Sequence, residues 1–386
     1  MKKIITLIAC CKLLIFSLYA TTLVVDTSEI EKGKAKFNKG DYVGSINIFN
    51  KIITKEPGNA DAYFNRGNAR IEIGDNDGAL EDFNKTLELN KQYYQVYIKR
   101  GNVELQMGDY NAAIEDYTKS IVQNKNKEAL VNRAEARFKL SDYEGAIKDY
   151  TDLINLRLLT TFDVYYKRGL ARIEYGKYTE AIEDFTKSIE LYPKYEMSYL
   201  NRARSKNHLK DYEGAILDYD KLIQMKPKEK QYYYDRGEAK TNLKNYPGAI
   251  EDYSKVISLD PKFEEAYYNR AELNGMVGKI EEAIKDFDVI IANNPEAKDA
   301  YYNRGHFYSE LDQYRAAEAD FTKVIELAPL EADAYYSRGI MRTSLEDFAG
   351  ACADFTMGEK LGDKPSKDMV KRTCDRTDTH NLIKKD

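Results

Sequence analysis

Apolar residues in this chain fall into short helical stripes that stop and restart every 34 residues. Residues 264–295 show the unit. Its first half sets Tyr267, Ala271 and Asn274 on one face, with Arg270 and Glu272 between them. A turn follows at Gly278-Lys279. The second half carries Ala283, Ile284, Phe287 and Ile291, an i, i+1, i+4, i+8 stripe. Pro295 then ends the second helix, because its ring cannot continue one. The pattern predicts two amphipathic helices per unit. Neither can bury its stripe alone, so stacked units must share one continuous core.

A short string, Asn-Arg-Gly or a variant of it, sets the register. Its arginines are Arg66, Arg100, Arg133, Arg168, Arg202, Arg236, Arg270, Arg304 and Arg338. They lie 34 residues apart, except for one spacing of 33 and one of 35 on either side of Arg133. Both exceptions fall between units, near 123–128 and 155–162, so they change loop lengths and leave the array intact. A degenerate first copy has Lys32-Gly33 in place of the string. Small residues recur where two helix backbones must approach, at Gly67, Gly101, Ala134 and Gly169 in first helices and at Ala79, Ala113 and Ala283 in second helices. The prediction is all-α, about ten helix-turn-helix repeats over residues 26–362. A capping helix is expected over 363–374, opened by Pro365, and a flexible polar tail over 375–386.

Composition refines this picture. A chain of 386 residues is long for one core, but a solenoid has no such limit because each repeat packs only on its neighbours. Basic and acidic residues nearly balance, 59 against 64. A net charge of −5 offers no basic stripe, which argues against nucleic acid as partner. Residues 1–20 differ from the rest: Lys2 and Lys3 precede an apolar run, Ile4 to Tyr19, that ends at Ala20. This reads as a secretory signal peptide, hence a secreted or periplasmic protein of a bacterial envelope, with no membrane insertion after cleavage. Two alternatives stand beside it. The run is a membrane anchor, though short and interrupted by Lys12, or Leu7-Ile8-Ala9-Cys10 is a lipidation site. Cys10 and Cys11 would leave with a signal. Cys352 and Cys374 would remain, either bonded in an oxidising compartment or as two small buried thiols.

The repeat resembles the tetratricopeptide repeat family. The matching residues are an aromatic at the fourth position (Tyr63, Tyr97, Tyr165, Tyr199), a small residue at the eighth and an aromatic at the seventeenth (Tyr110, Tyr143, Tyr178, Tyr212). Alanine follows at the twentieth, Phe or Tyr at the twenty-fourth (Phe83, Tyr117, Tyr150, Phe185), and proline near the thirty-second (Pro57, Pro193, Pro227, Pro261). The resemblance covers nearly the whole chain after residue 26. It implies a right-handed superhelical solenoid. Tyrosine is abundant, 32 residues, and positions four, five, seventeen and twenty-four hold 24 of them, so most are framework.

One position departs from the family. Leucine is usual at position seven, where nine copies here carry Arg. Each Arg is followed sixteen residues later by Asp, as in Arg202 and Asp218, Arg236 and Asp252, Arg270 and Asp286, and Arg304 and Asp320. Position seven borders the stripe that faces the second helix, so a structural ion pair within each repeat is expected, and adjacent repeats are expected to share these groups as a ladder. A charged binding strip is the other reading of this column.

The family resemblance also implies a concave groove lined by first helices, with positions two, five, six, nine and thirteen facing it. Position six includes Asn65, Asn132, Asn201, Asn269 and Asn303. This column resembles the asparagine ladder of superhelical repeat domains, in which amides hold an extended peptide backbone. The plainer alternative is that these asparagines cap turns or face water. Position five adds Tyr166, Tyr234, Tyr268, Tyr302 and Tyr336, expected to pack against ligand side chains. The lysine that chaperone-tail-binding members place at position five is missing.

Nothing in the sequence points to catalysis. The three histidines, His208, His306 and His380, are far apart, and no H-E-x-x-H, C-x-x-C or G-x-S-x-G occurs. No catalytic residue, metal site or cofactor is expected. The expected function is a non-catalytic scaffold for a protein or extended peptide, and the alternative is a structural subunit of an envelope assembly. The sequence sets neither the partner nor the oligomeric state.

Overall fold

The computed structural model describes residues 28–383, with side chains through 374. The N-terminal segment 1–20, with its signal, anchor and lipidation readings, lies outside the described residues. The described chain is helical throughout, and its helices come in ten pairs plus one. The first helices of the pairs are α1 (28–38), α3 (Ala60–Glu72), α5 (Tyr94–Met107), α7 (Lys127–Lys139), α9 (Phe162–Glu174), α11 (Glu196–His208), α13 (Lys230–Asn242), α15 (Glu264–Met276), α17 (Lys298–Glu310) and α19 (Ala332–Ser344). The second helices are α2 (Tyr42–Lys55), α4 (Asn76–Leu89), α6 (Tyr110–Gln123), α8 (Tyr143–Asn155), α10 (Tyr178–Leu191), α12 (Tyr212–Met225), α14 (Tyr246–Leu259), α16 (Ile280–Asn293), α18 (Tyr314–Leu327) and α20 (Phe348–Lys360). Sequence neighbours pack on one another, which makes an α solenoid of helix-turn-helix repeats. The array divides into two compact units, Met1–Ser198 and Tyr199–Asp386.

Local chemistry dictates each hairpin. The chain leaves every first helix through one residue in the left-handed region. It is glycine at Gly40, Gly74, Gly108, Gly176 and Gly278, and a side-chain-bearing residue at Ser141, Lys210, Lys244, Asp312 and Glu346. An aspartate then caps most second helices. Asp75 accepts the Gly78 amide at 3.0 Å, and Asp142 accepts the Gly145 amide at 2.9 Å. A Cβ on Gly78 would sit 2.3 Å from the Asp75 carboxylate, which explains the Asp-x-x-Gly spelling of these turns.

The core runs along the join between paired helices. The ring at position twenty-four is sealed in every repeat, from Phe49 and Phe83 to Phe321 and Phe355. It lies against the small residue at position eight: a Cβ on Gly67 would meet Phe83 at 2.7 Å, and one on Gly339 would meet Phe355 at the same distance. In repeat 8 the buried stripe is Ala283, Ile284, Phe287 and Ile290. Ile291, expected in that stripe, is only partly buried.

A last helix, α21 (Lys364–Ile383), follows α20 and packs against it. Asp363 caps it by accepting the Ser366 amide at 2.6 Å. A disulfide joins Cys352 of α20 to Cys374, with the two Cα atoms 5.0 Å apart. The sequence reading ended this helix near Cys374 and left 375–386 as a flexible tail; the helix instead continues to Ile383. No proline or glycine follows Pro365, so nothing in the chain stops a helix already begun.

Candidate functional site

Two polar systems run through the repeats, and the structure separates them. The first is the arginine–aspartate column. In repeat 8, Arg270 donates to Asp286 through Nε at 2.9 Å and through Nη2 at 2.6 Å. Arg202 grips Asp218 the same way, at 3.0 and 2.6 Å. Arg236 with Asp252 and Arg304 with Asp320 repeat this two-pronged geometry. All nine aspartates are at most 5% exposed. The remaining nitrogen, Nη1, reaches back to the second helix of the preceding repeat. Arg133 donates there to Thr118 at 2.9 Å, Arg270 to Ser254 at 2.9 Å and Arg304 to Asp288 at 2.6 Å. In every one of these repeats but the fourth, which has Leu130, a tyrosine three residues earlier lies by the guanidinium, as Tyr267 does at 5.7 Å from Arg270. Arg133, Arg270 and Arg304 thus each pin their own hairpin and tie it to the one before.

A further charge in this column escaped the sequence reading. Position eleven carries a second cation in six repeats, and it reaches the same aspartate. Arg70 meets Asp82 at 3.0 Å, Arg137 meets Asp149 at 2.7 Å and Lys206 meets Asp218 at 2.9 Å. Arg172, Lys240 and Arg342 do the same at Asp184, Asp252 and Asp354. The spelling Arg-x-x-x-Arg/Lys was the available clue. Repeats 3, 8 and 9 have Glu104, Asn274 and Tyr308 there instead. Burial lifts the Asp286 and Asp320 carboxyls above the usual range, and it lifts Asp184 as well although two arginines hold that one. In repeat 3, burial and then the nearby Asp116 carboxylate push Glu104 up to about 7. Its Oε2 is buried without a hydrogen-bond partner.

The second system lies on the first helices. In the first unit, α1, α3 and α5 enclose a cleft of about 420 Å³. Lys34, Asn65, Asn68, Lys99, Asn102 and Gln106 line it. Asn65 donates to the Asp61 carbonyl at 2.6 Å. Asn132 donates to Asn102 Oδ1 at 2.8 Å, and the Tyr117 hydroxyl donates to the same oxygen at 2.8 Å. In the second unit, α13 and α15 form a cleft of about 200 Å³ that includes Glu238, Asn242, Asn269, Glu272 and Met276. Asn269 donates to the Tyr234 hydroxyl at 3.0 Å. Asn201 on α11 and Asn303 on α17 are half-buried. Position nine, placed on the groove by the sequence but without named residues, supplies Lys34, Asn68, Asn102, Glu238 and Glu272 to the two linings, more than position six with Asn65, Lys99 and Asn269.

The position-five tyrosines are part of the framework as well as of the groove face. Their rings pack inward on the sealed position-twenty-four rings, with centroids 5.9 Å apart for Tyr166 and Phe185, 5.6 Å for Tyr234 and Tyr253 and 5.6 Å for Tyr268 and Phe287. Tyr302 and Tyr336 pack likewise on Phe321 and Phe355. One ring face is therefore spent on the core, and each residue is half-buried. The reason is reach: position five is one residue past the buried stripe, close enough for a large ring to fold onto it.

Among the described residues no group of His, Cys, Asp and Glu is placed to hold a metal ion. His306 stacks edge-on against Tyr302 at 4.6 Å and Phe321 at 5.1 Å, and burial lowers its affinity for a proton. No described helix is long and apolar enough to cross a membrane.

Family comparisons agree with this architecture. Models described as tetratricopeptide repeat match residues 48–81, 98–155, 162–195, 198–229 and 299–329, and one described as TPR repeat matches 240–278. No curated protein matches the chain. Among solved structures, the C-terminal part of a TPR repeat-containing protein from Cytophaga hutchinsonii is 21% identical. It aligns over 62% of this chain and 98% of its own, with a TM-score of 0.53. The structure of Naa15/Naa10 bound to HypK-THB is 12% identical over 88% of this chain and 64% of its own, also with a TM-score of 0.53. Both likenesses concern the fold. With matches that together span more than half of its length, this chain belongs to the tetratricopeptide repeat family.

Proposed function

We propose that this protein is a non-catalytic scaffold that holds an extended peptide or protein segment on the face made by its first helices. The cleft of α1, α3 and α5 carries the argument. Its lining is rich in amides, each of which both donates and accepts, as a peptide backbone requires. The arginine–aspartate column is internally satisfied and does not compete for that role. The basic and apolar N-terminal segment, together with the Cys352–Cys374 bond, supports a secreted or periplasmic location.

The test is fluorescence anisotropy with a panel of uncharged ten-residue peptides. The wild type is compared with the double variant Asn65→Ala, Asn68→Ala, and circular dichroism confirms helicity of both. Loss of two amide contacts weakens binding by about tenfold or more. Equal affinity for the two proteins rejects the groove and shifts the function to contacts made elsewhere on the repeats.

A further inference from the structure

The first-helix face of repeats 7 to 10 differs in charge from that of repeats 1 to 4. At positions two, six, nine and thirteen, repeats 7 to 10 present Asp235, Glu238, Glu265, Glu272, Asp299, Glu310 and Asp333 and no lysine or arginine. The corresponding residues of repeats 1 to 4 mix acids with Lys34, Lys99 and Lys139. Two of the seven are paired, Asp235 with Arg204 at 3.5 Å and Asp299 with Lys298 at 3.7 Å, and the other five, Glu238, Glu265, Glu272, Glu310 and Asp333, carry the local field of this face.

The carboxylates border shaped clefts. Glu238 and Glu272 stand on the cleft of α13 and α15, beside Leu273, Met276 and the amides of Asn242 and Asn269. Neither glutamate belongs to any ion pair among the described residues. Glu238 is exposed at this cleft and stands beside the Asp235 carboxylate, so a cation placed there meets negative charge open to solvent. A second cleft, of about 150 Å³, lies between α17 and α19, with Asp299, Tyr302 and Asp333 in its lining. Lys298 borders it and is held by Glu331 at 2.7 Å and by Asp299 at 3.7 Å, which leaves Asp333 as the carboxylate open to a ligand there.

We infer that the first-helix face of repeats 7 to 10 docks an extended basic peptide, with a Lys or Arg side chain seated between Glu238 and Glu272. The alkyl stem of that side chain rests on Leu273 and Met276, and its charged end meets the two carboxylates and the flanking amides. The inference rests on the groove reading above and supplies the chemistry of the partner.

The probe is a fluorescein-labelled ten-residue peptide of alternating Lys and Ala, with an alternating Glu and Ala peptide as its counterpart. Anisotropy at low salt should show binding of the lysine peptide and far weaker binding of the glutamate peptide. The double variant Glu238→Gln, Glu272→Gln should lose about tenfold in affinity. Glu251→Gln with Glu281→Gln, on second helices, removes the same charge and should leave affinity unchanged. Equal losses in the two double variants would reduce the effect to net charge and overturn the inference, as would tighter binding of the glutamate peptide. If the uncharged panel binds through Asn65 and Asn68 while the lysine peptide does not bind, the groove reading stands and this inference alone fails. If neither peptide class binds, both fail.

Discussion

Repeats 4 and 8 share one framework and treat its buried charge differently. In repeat 4, Asp149 is sealed from solvent between two cations, Arg133 at 2.7 Å and Arg137 at 2.7 Å. In repeat 8, Asp286 has Arg270 alone, because Asn274 stands where the second cation would be. Both hairpins close and both rings at position twenty-four are buried. One arginine therefore suffices to form the repeat, and the second cation is a margin of safety that the array uses in six places. The cost of burying an ion is offset only when its partner is held in good geometry, so the two repeats should respond unequally to the same substitution.

The largest effect is expected from Arg270→Leu. It strands Asp286 with no cation and should cost about 3–5 kcal/mol, read as lost amide protection in α15 and α16 by hydrogen exchange. Arg133→Leu should cost about half as much, since Arg137 still holds Asp149. Equal losses would show that the second cation contributes nothing. Changing Arg270 and Asp286 together to apolar residues should recover most of the loss, because no unpaired charge is then left behind.

Repeat 3 extends the comparison, because a carboxylate replaces the second cation. Glu104 lies near Asp116 and holds its proton up to about pH 7, whereas an unfolded glutamate releases it near 4.5. The folded state therefore binds more protons over that interval. The stabilisation is full below the unfolded value and is lost as the pH rises through about 7. Melting curves from pH 5 to 8 should show this decline in the wild type and a flatter profile in Glu104→Gln. An identical slope in both proteins would remove Glu104 from the account. Installing the absent cation in repeat 8, as Asn274→Lys, should add about 1 kcal/mol in urea unfolding; a loss would mean that the pocket cannot seat the longer chain. The smallest effect concerns the turns. Repeat 4 uses Ser141 in the left-handed conformation where repeat 8 uses Gly278. Ser141→Gly should gain up to about 1 kcal/mol, measurable as a small rise in Tm.

The repeat, its two helices and the pairing column were legible because each depends on a short period that a stripe of residues displays openly. Arg202 and Asp218 keep a fixed separation in sequence and meet in space, so spacing predicts contact. The second cation was harder to see. Lys206 and Arg137 look like ordinary exposed-face charges, and only the bend of the hairpin brings them onto the buried aspartate. The core contacts of Tyr234 and Tyr268 were not specified for a related reason. A residue at the edge of an apolar stripe can turn to either side, and ring size decides which. The end of α21 was missed because a polar sequence without a breaker does not announce where its helix stops.

The arginine Nη1 contact has a consequence for ancestry. Its acceptors on the preceding repeat include Asn50, Asn84, Thr118, Thr151, Asp220, Ser254, Asp288 and Thr322. Amide, hydroxyl and carboxylate oxygens all serve. A rung that accepts any oxygen imposes no particular neighbour on the hairpin that carries it. A duplicated stretch of coding sequence would arrive with its own arginine–aspartate pair and find a usable acceptor wherever it landed. Such an array can lengthen, shorten or recombine by whole units without a matching change next door, and its groove can then diversify one hairpin at a time.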